Sequence, residues 1–85
     1  MTESEVLAEV ASLIRLTFGA DETVTITREI TSFDIDGWDS LSHPTLMIMI
    51  ERQFGVTISE DDSNRIQCVG DLVDQLVAKI ARKAG

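Results

Sequence analysis

Eighty-five residues with 15 Asp+Glu against 7 Lys+Arg give a net charge of −8, which excludes a nucleic-acid footprint and disfavours an anionic membrane surface. A chain of this length is expected to form one domain with little room for a deep pocket, and enzymes this small are uncommon. No apolar run approaches the roughly 18 residues of a membrane span, and the opening Met1–Thr2–Glu3–Ser4–Glu5 is acidic where a signal peptide would be basic, so a cytoplasmic protein without membrane insertion is expected.

The charge is unevenly placed: residues 1–39 hold nine acids and two bases, whereas residues 40–85 hold six acids and five bases. Cys68 is the lone cysteine and His43 the lone histidine. That combination provides neither an internal disulfide nor a zinc site, so the fold must stand on packing.

In chain order, Thr2 followed three residues later by Glu5 is a capping-box pattern. Val6, Leu7, Val10, Leu13, Ile14 and Phe18 then recur at helical spacing, predicting a first helix over 3–18 that stops at Gly19. From Gly19 to Asp39 no periodicity is sustained, although the stretch exceeds the roughly 12–15 residues usual for a structureless loop. Thr23–Thr27 alternates like a strand, but its only possible partner is the short Val56-Thr57-Ile58, and an isolated pair is marginal. The favoured expectation is a long loop pinned to a helical core by Val24, Ile26, Ile30, Phe33 and Ile35.

A second helix is predicted over 40–54, with Asp39 as N-cap, Pro44 in or near the first turn and Gly55 as the stop. Leu46, Met47, Ile50 and Phe54 form its core stripe. Leu41, Pro44 and Ile48 fall on a second apolar line, more than one core face requires, which makes them a candidate docking surface. Ser59-Glu60-Asp61-Asp62 predicts a short third helix over 60–66. Leu72, Val73, Leu76, Val77 and Ile80, with Lys79, Arg82 and Lys83 near the end, predict a fourth over 69–83. The fold class is therefore all-α: a four-helix bundle with a long loop between helices one and two and a short third helix.

Three chemistries compete for the segment before the second helix. Asp34 and Asp36 open like a calcium loop, yet the sixth and twelfth places are Asp39 and Thr45, where Gly and a bidentate Glu are needed; no metal site is assigned. Asp39, Ser40 and His43 suggest a hydrolase, but Gly37-Trp38-Asp39-Ser40-Leu41 is not G-x-S-x-G and the chain is too small to wall in a substrate, so no catalytic residue is assigned. Ser40 at a helix start suits covalent phosphoryl attachment, because unpaired N–H groups and the helix dipole favour a negative group there. On physics alone, a second cap beside Asp39 accounts for Ser40 equally well.

Gly37-Trp38-Asp39-Ser40-Leu41-Ser42-His43, followed by an apolar helix ending Phe54-Gly55-Val56, resembles the D-S-L signature and second helix of acyl carrier proteins, and the similarity runs over essentially the whole chain. The resemblance implies a carrier and not a catalyst. It assigns Ser40 as the serine esterified with 4′-phosphopantetheine by a phosphopantetheinyl transferase using coenzyme A, the arm's thiol holding acyl or aminoacyl groups as thioesters. Asp39 and Leu41, with Trp38, Pro44, Ile48 and Glu51, become candidates for recognition by the transferase and by acyl-activating and acyl-transfer enzymes. Leu46, Met47, Met49 and Ile50 become candidate walls for a sheltered acyl chain, with flexible methionines suited to a core that opens.

Two departures matter. The second helix is nearly neutral where carriers of fatty-acid synthesis usually bear several acids, so salt-dependent steering there should be weak and apolar contacts stronger. A monomeric carrier for a specialised pathway is the expectation, against the alternative of a small acidic interaction module without a prosthetic group. Cys68 stands where such carriers often have a capping Thr, and as a poor cap it should weaken the last helix by up to roughly 1 kcal/mol. Trp38 is read foremost as a loop anchor.

Overall fold

The computed structural model describes residues 1–84. Four helices follow in order: α1 (Glu3–Phe18), α2 (His43–Phe54), α3 (Glu60–Asn64) and α4 (Val69–Ala84), with a single 3-10 turn at Ser32–Asp34 in the long segment between α1 and α2. No strand forms among the described residues, and Thr23–Thr27 lies in irregular chain.

The predicted capping box closes α1: the Glu5 N–H donates to Thr2 Oγ1 at 3.2 Å and the Thr2 N–H to Glu5 Oε1 at 2.9 Å. Val6, Val10 and Ile14, spaced by four, are fully buried on one face and meet α4 and α2. Leu46 and Ile50 of α2 and Val69, Leu72, Val73 and Leu76 of α4 complete the interior. The length of α4 buries one stripe, while Lys83 reaches the Gly55 carbonyl at 3.0 Å, where α2 ends.

The long segment is tied down chiefly by backbone. The N–H groups of Val69 and Gly70, orphans at the start of α4, donate to the carbonyls of Ile30 and Arg28, each at 2.8 Å. The loop thus satisfies two N–H groups at the helix start beside Cys68, whose side chain has no oxygen to cap them. Gly70 is needed for the approach: a Cβ there would stand 3.1 Å from the Arg28 carbonyl oxygen and 3.2 Å from the Arg28 Cβ. The Arg28 guanidinium adds a fork to Asp74 (both contacts 3.0 Å) and a contact to Glu3 at 2.6 Å, linking loop, α4 and α1. Ile26 and Ile35 are buried, and Val24 and Ile30 pack against the core.

Phe33 departs from expectation. Predicted as a core pin, it is 98% exposed. It sits in the middle of the 3-10 turn, so Ile30 and Ile35 on either side reach the core and the ring between them projects into water. The α2 boundary also moves. Ser40–Ser42 form a turn and the helix begins at His43, because the Asp39 side chain winds that segment around itself, although the His43 N–H already reaches the Asp39 carbonyl at 2.9 Å. α3 ends at Asn64, two residues early, as Ile66 turns inward to a buried position.

Candidate functional site

The segment Gly37–His43 is a set of interlocked turns. Gly37 has φ +90, a backbone conformation that a side chain would strain, and it delivers Trp38 into the interior. Trp38 is 5% exposed. Its indole lies 5.9 Å from the Phe18 ring with 16° between planes, and its Nε1–H donates to His43 Nδ1 at 3.0 Å. With Nδ1 accepting, the ring proton of neutral His43 is on Nε2, which faces the Ser63 carbonyl on α3 at 3.4 Å. Trp38 is thus a buried anchor rather than a surface for recognition, and His43 joins the loop to α2 and α3.

Asp39 accepts from the backbone N–H groups of Leu41 and Ser42, both at 2.9 Å. Those bonds, that of Ser42 foremost, hold its carboxyl below the usual aspartate range. The two serines flanking Leu41 have different duties. Ser42 accepts from the Asp39 N–H at 2.9 Å and donates to the Gly37 carbonyl at 2.5 Å, closing the turn from inside. Ser40 is exposed, and its hydroxyl has no hydrogen-bond partner among the described residues. A nucleophilic hydroxyl is therefore presented to solvent on a rigid turn. Both His43 nitrogens point elsewhere, to Trp38 and Ser63, so the Asp39-Ser40-His43 constellation does not assemble as a base relay. Asp34 braces the preceding 3-10 turn, its Oδ2 accepting from the Thr31 N–H at 2.9 Å.

Ser40 borders a groove of about 890 Å³ between the Phe33 turn, α2 and α3. Its apolar lining includes Phe33, Trp38, Met47, Ile48, Ile58 and Ile66. Of the four residues expected to wall an acyl chain, Met47 lines this groove. Leu46 and Ile50 are fully buried in the interior, and Met49 turns toward α1, where Thr17 Oγ1 meets its sulfur at 3.2 Å. Of the recognition candidates, Leu41 (86%), Ile48 (49%) and Pro44 are exposed near Ser40. Glu51 is half-buried and its Oε2 accepts from the Ile58 N–H at 2.8 Å, a structural duty. In the sequence Phe33 reads as a core pin and not as part of the site, and Ser42 and Ser63 have no role there; the D-x-x-S spacing of Asp39 and Ser42 is a usable signal for Ser42.

No family model matches the chain. Acyl carrier proteins of Thermotoga maritima and Cyanidium caldarium are each 33% identical to it, over 93% and 99% of this chain and 96% of each relative. The chain belongs to the acyl carrier protein family. The solution structure of a holo acyl carrier protein from Geobacter metallireducens superimposes with a TM-score of 0.84 at 34% identity, covering 93% of this chain and 90% of that one. The acyl carrier protein of Enterococcus faecalis gives 0.73 at 32% identity over 93% of this chain and 99% of its own. The four-helix architecture is that of the family, whose members are carriers bearing phosphopantetheine and not enzymes. Among the described residues no helix is long and apolar enough to cross a membrane.

Proposed function

We propose that this acyl carrier protein is esterified on Ser40 with 4′-phosphopantetheine and carries acyl or aminoacyl groups as thioesters for a specialised pathway. The observation that carries the attachment site is the contrast between the two serines: Ser42 is locked inside the turn, while Ser40 offers a free, exposed hydroxyl beside an apolar-lined groove. Those residues fit the group, since the arm needs an unencumbered oxygen for its phosphodiester and a neighbouring channel for its length. When bound, the arm supplies a thiol for thioester chemistry. Asp39 keeps the Ser40 turn in shape through its two backbone bonds, and Met47 and Ile48 give the groove an apolar wall.

The specialised role is supported by the surface of α2. Its exposed positions include Pro44, Thr45, Ile48 and Arg52, and its one acid, Glu51, is drawn inward to the Ile58 N–H. Partners that read rows of acids on this helix find none, so contacts through Leu41, Pro44 and Ile48 contribute more of the affinity.

Intact mass after incubation with coenzyme A and a broad-specificity phosphopantetheinyl transferase tests the attachment. Wild type is expected to gain one phosphopantetheinyl group and Ser40→Ala none. Loading that persists in Ser40→Ala would move the site, and a wild type that is never loaded would end the carrier reading.

A further inference from the structure

We infer that Phe33 is a docking residue for the enzyme that loads Ser40, entering an apolar socket whose border on that enzyme is positively charged. The inference rests on the Ser40 reading above, and three observations carry it.

The first is presentation. Phe33 is 98% exposed, yet it stands on a braced turn: the Thr31 N–H donates to Asp34 Oδ2 at 2.9 Å, the Phe33 N–H to Thr31 Oγ1 at 3.3 Å, and the Asp34 N–H to the Thr31 carbonyl at 3.0 Å. Upstream, the Ile30 carbonyl is bonded to α4, and downstream Ile35 is buried. A large aromatic held in water on an ordered backbone loses little conformational freedom on docking, and aromatic anchors of this kind dominate the energetics of interfaces.

The second is place. Phe33 lines the same groove as Ser40, Pro44 and Ile48, so an enzyme whose active site reaches the Ser40 hydroxyl meets this ring. The third is charge. Asp39 and Glu60, both exposed and both outside α2, are among the groove's lining residues, and no Lys or Arg is. The complementary face is therefore apolar at its centre and basic at its edge. A second copy of this chain would bring the same carboxylates to the contact and fits less well.

Steady-state kinetics of phosphopantetheine transfer from coenzyme A by a broad-specificity transferase test this, with thermal melts of each variant. Phe33→Ala is expected to raise KM for the carrier about tenfold with kcat little changed, the effect of losing one interface anchor, and Phe33→Leu to recover part of it. The melting midpoint should stay put, because the ring contributes almost nothing to the interior. An unchanged KM for Phe33→Ala with wild type loading normally would overturn the inference alone. A wild type that sediments as a dimer and is dispersed by Phe33→Ala would also overturn it, assigning the ring to self-association. Failure of wild type to be loaded at all would overturn the Ser40 reading and this inference together.

Discussion

Trp38 donates its indole N–H to Nδ1 of His43 at 3.0 Å, and the same imidazole faces the Ser63 carbonyl through Nε2 at 3.4 Å. One side chain thereby couples the loop that precedes Ser40, the first turn of α2 and the third helix. Removing it as His43→Ala leaves a buried indole N–H without a partner, which costs about 1–3 kcal/mol. The expected result is a matching drop in urea-unfolding free energy and altered Trp38 fluorescence, both read from the protein's single tryptophan. A variant as stable as wild type, with unchanged emission, would show that the hydrogen bond does not hold the site.

Ser40 and Ser42 should respond in opposite ways to the same change. Ser42→Ala removes an acceptor from the Asp39 N–H and a donor to the Gly37 carbonyl, so a loss of roughly 1 kcal/mol is expected, with phosphopantetheine loading slowed but retained. Ser40→Ala removes an exposed hydroxyl and should stay within about 0.5 kcal/mol of wild type while abolishing loading. Chemical denaturation and intact mass on the two variants read both quantities. Equal stability and equal loading for the pair would refute the division of labour between them.

The close contact of the loop with α4 gives a third expectation. At Gly70 a methyl group would press on the backbone oxygen and Cβ of Arg28 at 3.1 and 3.2 Å, so Gly70→Ala must open the joint in which Arg28 and Ile30 cap the helix. Overpacking of this kind typically costs about 1–3 kcal/mol. Hydrogen exchange should show faster exchange at the Val69 and Gly70 amides, the two that bond to the loop. Slow exchange at those amides in the variant would mean that the loop yields without releasing the helix.

What could be read in advance follows from how far each interaction reaches along the chain. The capping boxes at Thr2 and Glu5 and at Ser59 and Asp62 close over three residues, and the core stripe Val6, Val10, Ile14 repeats every four, so both are visible as local spacing. The loop-to-α4 joint is not visible, because Arg28 meets Gly70 and Asp74 through backbone and a fork that no periodicity announces. Phe33 shows the limit of reading burial from residue type: its neighbours are claimed by the core, and a turn of three residues leaves the middle one outside. The proposed attachment site, Ser40, was legible as a motif, whereas the different settings of Ser40 and Ser42 depend on which hydroxyl the Asp39 turn encloses. Among Leu46, Met47, Met49 and Ile50, the sequence shows four apolar side chains; only the folded structure assigns Met47 to the groove and Met49 to the contact with α1.

Acid should loosen the fold through carboxylates whose partners are lost on unfolding. Asp62 is held below the ordinary aspartate range first by the Lys79 ammonium at 2.8 Å and then by the Ser59 hydroxyl, and Asp74 by the Arg28 fork. Asp39 and Glu5 are lowered by backbone N–H groups at the starts of their helical turns. A folded-state value below the unfolded one, about 3.9 for aspartate, means that the unfolded chain binds protons first as pH falls. The stabilisation is complete above that unfolded value and disappears as pH drops through the lower folded one. Urea unfolding between neutral pH and pH 2 should therefore show stability declining below about pH 5. Asp62→Asn and Asp74→Asn, less stable than wild type at pH 7, should fall less steeply through that window and converge on wild type at its acid end. Parallel curves for wild type and both variants would show that these ion pairs do not set the acid response.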